Sequence, residues 1–170
     1  GEYLRCPKGY YYKKVIGIPE GMFLKGSSRT SGLSAAERGS LVHLIIEKIC
    51  KGSLKEQDID KFIKDYTDLI TDEDIKHIKR CLNTYFKSDL HNTLGKTNTE
   101  YPFIYQLKDR CYITGIIDFL KVREAHLEIV DFKTNIKIDE NLLDIYKFQV
   151  QTYALAMTKI SDIPIKSAKV

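Results

Sequence analysis

Asp118, Asp131 and Lys133 stand inside two otherwise apolar runs of the stretch YITGIIDFLKVREAHLEIVDFKT, residues 112–134. Ile113, Ile116, Ile117, Phe119 and Leu120 surround the first aspartate; Leu127, Ile129, Val130 and Phe132 surround the second. Apolar residues at both odd and even positions predict strands buried on both faces. A charge in such a place is costly unless it is paired or bound to a metal. A surface ion pair, worth only about 0–1 kcal/mol, gives no reason to put an aspartate and a lysine there. Residues two apart on a strand share a face, so Asp131 and Lys133 point the same way. Two carboxylates and one ammonium converging in an apolar sheet make a site, and a divalent cation is its expected occupant.

The elements that must position these groups follow from local pattern. Three antiparallel strands are predicted over about 100–107, 111–121 and 127–133, with turns at Lys108–Arg110 and Arg123–His126. Ser34-Ala-Ala-Glu37 is a capping box, opening an unusually apolar helix to about Lys51. Gly39 on it lets something approach its backbone closely, and His43 lies one turn later on the same face. Residues 54–90 read as two helices, LKEQDIDKFIKDYTDLI and a second begun by the capping pattern Thr71-Asp-Glu-Asp74. A further helix is predicted from Glu140 to Lys159. Gln149 and Tyr153 share one face of it, and Tyr146, Phe148, Leu155, Ala156 and Met157 supply core contacts. A last strand begins near Pro164. Before all this, residues 3–16 read as a short helix with Pro7 in its first turn, and 17–32 as a Gly- and Ser-rich loop. The fold class is α/β: a mixed central sheet with antiparallel strands between helices, with 54–90 as a helical insert, in one domain.

Taken together, His43, Glu100 opening a strand, Gly115-Ile-Ile-Asp118, Asp131-Phe-Lys133-Thr134 and Gln149-Val-Gln-Thr-Tyr153 form an ordered series. That series resembles the PD-(D/E)XK nucleases, and within them the RecB/AddA-like branch found at the C-terminus of UvrD-like helicases. A lone DFKT would be weak; five elements in order over nearly the whole chain are specific. The resemblance implies a restriction-endonuclease-like core and metal-dependent hydrolysis of DNA phosphodiesters, with exonuclease action on single strands unwound by a linked or partner helicase. It implies that His43, Asp118, Asp131 and the carbonyl of Phe132 ligate Mg²⁺ or Mn²⁺. Lys133 would orient or deprotonate the attacking water, and Glu100 would reach a second metal or orient a water. Gln149 and Tyr153 would contact the site and the DNA strand. Carboxylate, carbonyl and water suit Mg²⁺, and one imidazole suits Mn²⁺ equally. A catalytically inactive nucleic-acid-binding module is a rival, as is a free-standing phage or CRISPR-associated exonuclease. Dead copies should lose motif residues, and this chain keeps all of them.

Composition narrows the rest. The 170 residues suffice for one domain with a real core. A net charge of +4, from 27 Lys and Arg against 23 Asp and Glu, suits a nucleic-acid partner without demanding one. No run approaches the roughly 20 apolar residues of a membrane span. Cys6, Cys50, Cys81 and Cys111 lack CxxC spacing, which argues against zinc and predicts reduced thiols in a cytoplasmic protein, the last three as small core residues. Some relatives pair a cysteine at the place of Cys6 with three after the QxxxY helix to hold an iron–sulfur cluster. No cysteine follows Cys111, so this stretch does not support one, and Cys6 is either a packing residue, the reading favoured, or an orphaned cluster ligand. The last residues, IPIKSAKV, look like a strand cut short, so the chain is expected to be part of a longer protein. No pattern reads bases, which predicts recognition of the backbone.

Overall fold

A computed structural model describes residues 31–91 and 96–170; the helix expected at 3–16, most of the loop at 17–32 and Cys6 lie outside the described residues. In chain order the elements are α1 (Ala35–Cys50), a 3-10 turn (Glu56–Asp58), α2 (Ile59–Tyr66), α3 (Asp72–Lys87), β1 (Lys96–Lys108), β2 (Cys111–Val122), β3 (Leu127–Val130), α4 (Glu140–Ile160) and β4 (Ile165–Lys169). The four strands form one sheet in the order β1-β2-β3-β4, antiparallel except that β4 runs parallel to β3. The crossover α4 makes that parallel pair possible. This is the mixed sheet between helices that the sequence predicts.

Each face of the sheet has its own core. On one, Leu41, Val42, Ile45 and Ile46 of α1 and Ile78, Leu82 and Tyr85 of α3 pack with Ile59, Ile63, Phe119 and Val130. On the other, Ala156 and Met157 of α4 pack with Phe103, Ile117, Leu120, Leu127 and Ile129. The strands bury both faces only from Ile117 to Lys121 and over β3; the first half of β2 alternates, and Ile116, expected in the buried run, is 50% exposed. One detail cannot come from alternation: Ile117 and Phe119, two apart, face opposite cores. The parity changes at Asp118. Thr99 pairs with Phe119 and Tyr101 with Ile117, which sets Glu100 across from Asp118. Glu100 has φ +50, in the left-handed region that a glutamate adopts only at a cost of order 1–3 kcal/mol. The sheet therefore turns over locally at the two carboxylates.

Some boundaries differ from expectation, each for a visible reason. The first predicted insert helix shortens to α2, because Thr67 leaves the helical region and the Leu69 carbonyl accepts from the Gly32 N–H at 2.7 Å. β1 begins at Lys96, not near Glu100, because its polar first residues still find Phe119–Val122 as ladder partners. β3 ends at Val130, not at Lys133, because the Phe132 N–H donates to the Asp118 carboxylate (Oδ2, 2.7 Å) instead of to a neighbouring strand. Phe148 and Leu155 are 54% and 50% exposed, not core, since α4 buries the stripe through Tyr146, Val150 and Met157. Cys50 is exposed at the end of α1, and Cys81 and Cys111 are only half-buried, so the expected core cysteines are not core.

The Ser34 box forms as read: the Glu37 N–H donates to Ser34 Oγ at 3.1 Å and the Ser34 N–H to Glu37 Oε2 at 2.6 Å. Gly39 is approached as expected, since a Cβ there would lie 3.1 Å from Thr134 Oγ1. That contact sets α1 directly against the segment carrying Asp131 and Lys133.

Candidate metal centre and active site

His43 reaches the sheet from the middle of α1. One ring nitrogen, Nε2, lies 3.2 Å from the Phe132 carbonyl oxygen. The other, Nδ1, lies 3.6 Å from Glu100 Oε1 and 3.7 Å from Asp118 Oδ1. With the Nε2 proton donated to the carbonyl, Nδ1 presents its lone pair to the carboxylates. A backbone acceptor that fixes the tautomer of a metal-binding histidine is the usual arrangement. The ligating atoms of His43, Glu100 and Asp118 all lie within 4.8 Å of one another. Glu100 thus joins the compact group directly, through the turnover of β1 and β2.

Burial pushes the Asp118 carboxyl up to about 6; His43 opposes this and the negative charge of Asp131 adds to it. The site holds more carboxylate than its own cations neutralise.

Asp131, 1% exposed, stands beside this group on the α4 side. Its Oδ1 accepts from Gln149 Nε2 at 3.0 Å. Lys133 Nζ lies 2.5 Å from its Oδ2, yet that oxygen receives no well-angled hydrogen bond and is otherwise buried without a donor. Lys133 Nζ also donates to Gln149 Oε1 at 3.3 Å, and Gln149 Nε2 reaches the Tyr153 hydroxyl at 2.7 Å. Asp131 and Lys133 therefore meet, although both lie beyond the end of β3, where strand parity no longer applies, and Gln149 and Tyr153 join them from α4. All eight residues singled out in the sequence meet here. What differs is the grouping: His43, Glu100 and Asp118 are mutually closest, while Asp131 is engaged by Lys133 and Gln149.

The glycine of GxxD has a packing reason. A Cβ at Gly115 would fall 2.8 Å from Phe103 Cε1 and 3.0 Å from Tyr153 Cε1, so only glycine admits the two rings, whose centroids are 5.4 Å apart. Gly115→Ala is expected to cost about 1–3 kcal/mol by overpacking and to displace Tyr153 from Gln149. The urea midpoint and the cleavage rate should fall together; an unchanged midpoint would show that the rings give way freely.

Three features escaped the sequence. Tyr146 stacks on Lys133, with Nζ 4.7 Å from the ring centroid. Lys121 is fully buried, and donates to the Leu90 carbonyl at 3.3 Å while burial lowers its pKa. A charge inside an apolar strand is the very signal that marks Asp118, and Lys121 carries it too. Asp74, expected only as part of a helix cap, is 2% exposed and receives the N–H of Leu33 and the guanidinium of Arg38.

A mixed sheet of this topology flanked by helices, with an imidazole, three carboxylates and an ammonium gathered beside it, is consistent with the restriction-endonuclease-like class of fold. The family model for the PD-(D/E)XK nuclease superfamily matches residues 1–168, and the chain belongs to that superfamily. It is similar to an ATP-dependent helicase/nuclease subunit of Thermoanaerobacter sp. (strain X514), 28% identical over 181 residues that cover 92% of this chain and 14% of that protein. The corresponding subunit of Alkaliphilus metalliredigens (strain QYMF) is 28% identical over 170 residues, 85% of this chain and 14% of that protein. That of Clostridium perfringens (strain 13 / Type A) is 26% identical over 179 residues, 82% and 13% respectively. The chain spans about one-seventh of the length of these relatives. Among the described residues, no helix is long and apolar enough to cross a membrane.

Proposed function

We propose that this chain is a single deoxyribonuclease domain, residues 1–170 with 54–90 as a helical insert, that requires Mg²⁺ or Mn²⁺. It trims single-stranded DNA exonucleolytically as the nuclease part of a longer cytoplasmic helicase–nuclease. One observation carries the reading: His43 Nδ1 lies 3.6 Å from Glu100 Oε1 and 3.7 Å from Asp118 Oδ1, while Nε2 lies 3.2 Å from the Phe132 carbonyl oxygen. The donor set suits a hard cation. It offers one imidazole and oxygen ligands only, it carries surplus negative charge, and Asp131 Oδ2 is a buried acceptor short of a donor.

His43, Asp118 and Asp131 would hold the ion, with Glu100 beside them and the second lone pair of the Phe132 carbonyl available. When bound, the ion supplies Lewis acidity toward the phosphate and toward a water. The chain's own groups do the rest. Gln149 fixes the Asp131 carboxylate through Nε2 and receives Lys133 through Oε1. Lys133 Nζ places positive charge where the phosphate gains negative charge, and can orient the attacking water. Tyr153 offers a half-buried ring and a hydroxyl beside Gln149, and aromatic stacking on a base tolerates any sequence. The kinship with helicase/nuclease subunits supports the assignment to DNA and to a motor that supplies single strands.

Titration of Mn²⁺ into the metal-free chain tests the centre. One strong site is expected in the wild type, weakened at least about tenfold in His43→Ala, in line with the loss of a ligand. Equal affinity in both proteins would sink the proposed ligand set.

A further inference from the structure

By sequence, Tyr146 has only a packing role. In the structure it is 7% exposed on α4, and it lies where the reacting groups need support. Its ring faces the Lys133 ammonium at 4.7 Å, and its hydroxyl donates to Asn135 Oδ1 at 2.8 Å. It sits one turn before Gln149, so the two side chains approach Lys133 from the same face of the helix.

Lysine is a point charge on a flexible four-carbon stem, and nothing in its own geometry aims it. Asp131 attracts Lys133 but does not direct it, because their contact lacks hydrogen-bonding geometry. Direction must come from the remaining partners, the Gln149 amide oxygen at 3.3 Å and the Tyr146 ring. Both are neutral, so neither sets a second positive charge beside Asp131, and Gln149 engages only its Oδ1. The face of an aromatic ring attracts a partly desolvated ammonium without removing its charge. The hydroxyl bond to Asn135 then ties the same ring to the segment that carries Lys133.

We propose that Tyr146 is a positioning residue for Lys133: its ring face aims the ammonium. The catalytic part of this rests on the nuclease reading above; the geometric part does not. The test compares Tyr146→Phe, which keeps the ring, with Tyr146→Leu and Tyr146→Met, which keep apolar bulk without it. The first readout is NMR of the Lys133 side chain in metal-free protein. Ring-current shifts of its terminal methylene should persist in Tyr146→Phe and vanish in the other two. The second is steady-state cleavage of single-stranded DNA, with kcat and KM determined separately. Tyr146→Phe should hold kcat within about twofold, while the ring-less variants lose about tenfold in kcat at unchanged KM, the size of one such contact.

Unaltered Lys133 resonances in a folded ring-less variant would overturn the proposal. So would equal kcat losses in the Phe and Leu variants, or a loss confined to KM. A wild-type chain that cleaves no DNA would instead refute the nuclease reading, and the resonances would still decide the role of Tyr146.

Discussion

Asp131→Ala and Lys133→Ala should each reduce Mg²⁺-dependent cleavage of single-stranded DNA by about 10²–10³-fold or more, the scale of losing one preorganised electrostatic contact in a water-poor site. The two losses have different physical sources. Asp131→Ala removes an oxygen ligand and frees both Gln149 Nε2 and Lys133 Nζ from their shared carboxylate. Among the described residues, Lys133→Ala removes the one ammonium gathered at the site and leaves Asp131 with the Gln149 amide. The double variant should be scarcely worse than either single one, because the pair acts as a unit. Mn²⁺ affinity separates the two: it should fall in Asp131→Ala and hold, or rise, in Lys133→Ala, where a competing cation has gone. Cleavage that survives in either variant would remove the pair from the chemistry.

The largest effect on stability should come from a residue outside the site. Asp74 is buried at the start of α3 and accepts from four donors: Thr71 N–H at 3.1 Å, Thr71 Oγ at 2.7 Å, Leu33 N–H at 3.0 Å and Arg38 Nη1 at 2.9 Å. It caps α3, anchors the chain entering α1 and neutralises Arg38, itself on α1. Asp74→Ala would strand those donors and leave a partly buried guanidinium unpaired, a cost of about 3–5 kcal/mol. That is a large share of the 5–15 kcal/mol by which domains are typically stable. Burial alone would raise the Asp74 pKa, but the hydrogen bonds from Thr71, Leu33 and Arg38 win and hold it well below the usual carboxylate range. The folded state therefore binds this proton less readily than the unfolded chain, whose carboxyl titrates near about 4. The contribution is complete above that value and drains away as the pH falls below it toward the depressed folded pKa. The gap in urea midpoint between wild type and Asp74→Asn should narrow from pH 7 to pH 3. A gap of constant size would show that the ionised carboxylate is not what matters.

Much of this is legible in the residues. Charges inside apolar runs mark Asp118 and Asp131, and the capping boxes at Ser34 and Thr71 open α1 and α3 where expected. Glycine at 39 announces a close approach to the backbone, and the structure supplies Thr134. These are local signals, and local physics fixes them: helical period and the cost of unpaired charge.

Other features exist only once distant segments meet. The turnover of the sheet at Asp118 depends on Glu100 taking φ +50 opposite it, and no pattern within either strand requires that. β3 stops at Val130 because the next free N–H on that side goes to a carboxylate fourteen residues earlier. Asp74 reads as an ordinary cap until Arg38 and Leu33, contributed from around the start of α1, close over it. Tyr146 reads as core because a buried aromatic on a helix usually is; its ring acquires a second use only where α4 crosses the strand end that carries Lys133. The sequence by itself determined which candidate groups are drawn into the site and which elements carry them, since both are written in short-range spacing. The tertiary structure decided which carboxylates share the histidine and what aims the ammonium, because those depend on contacts between residues far apart in the chain.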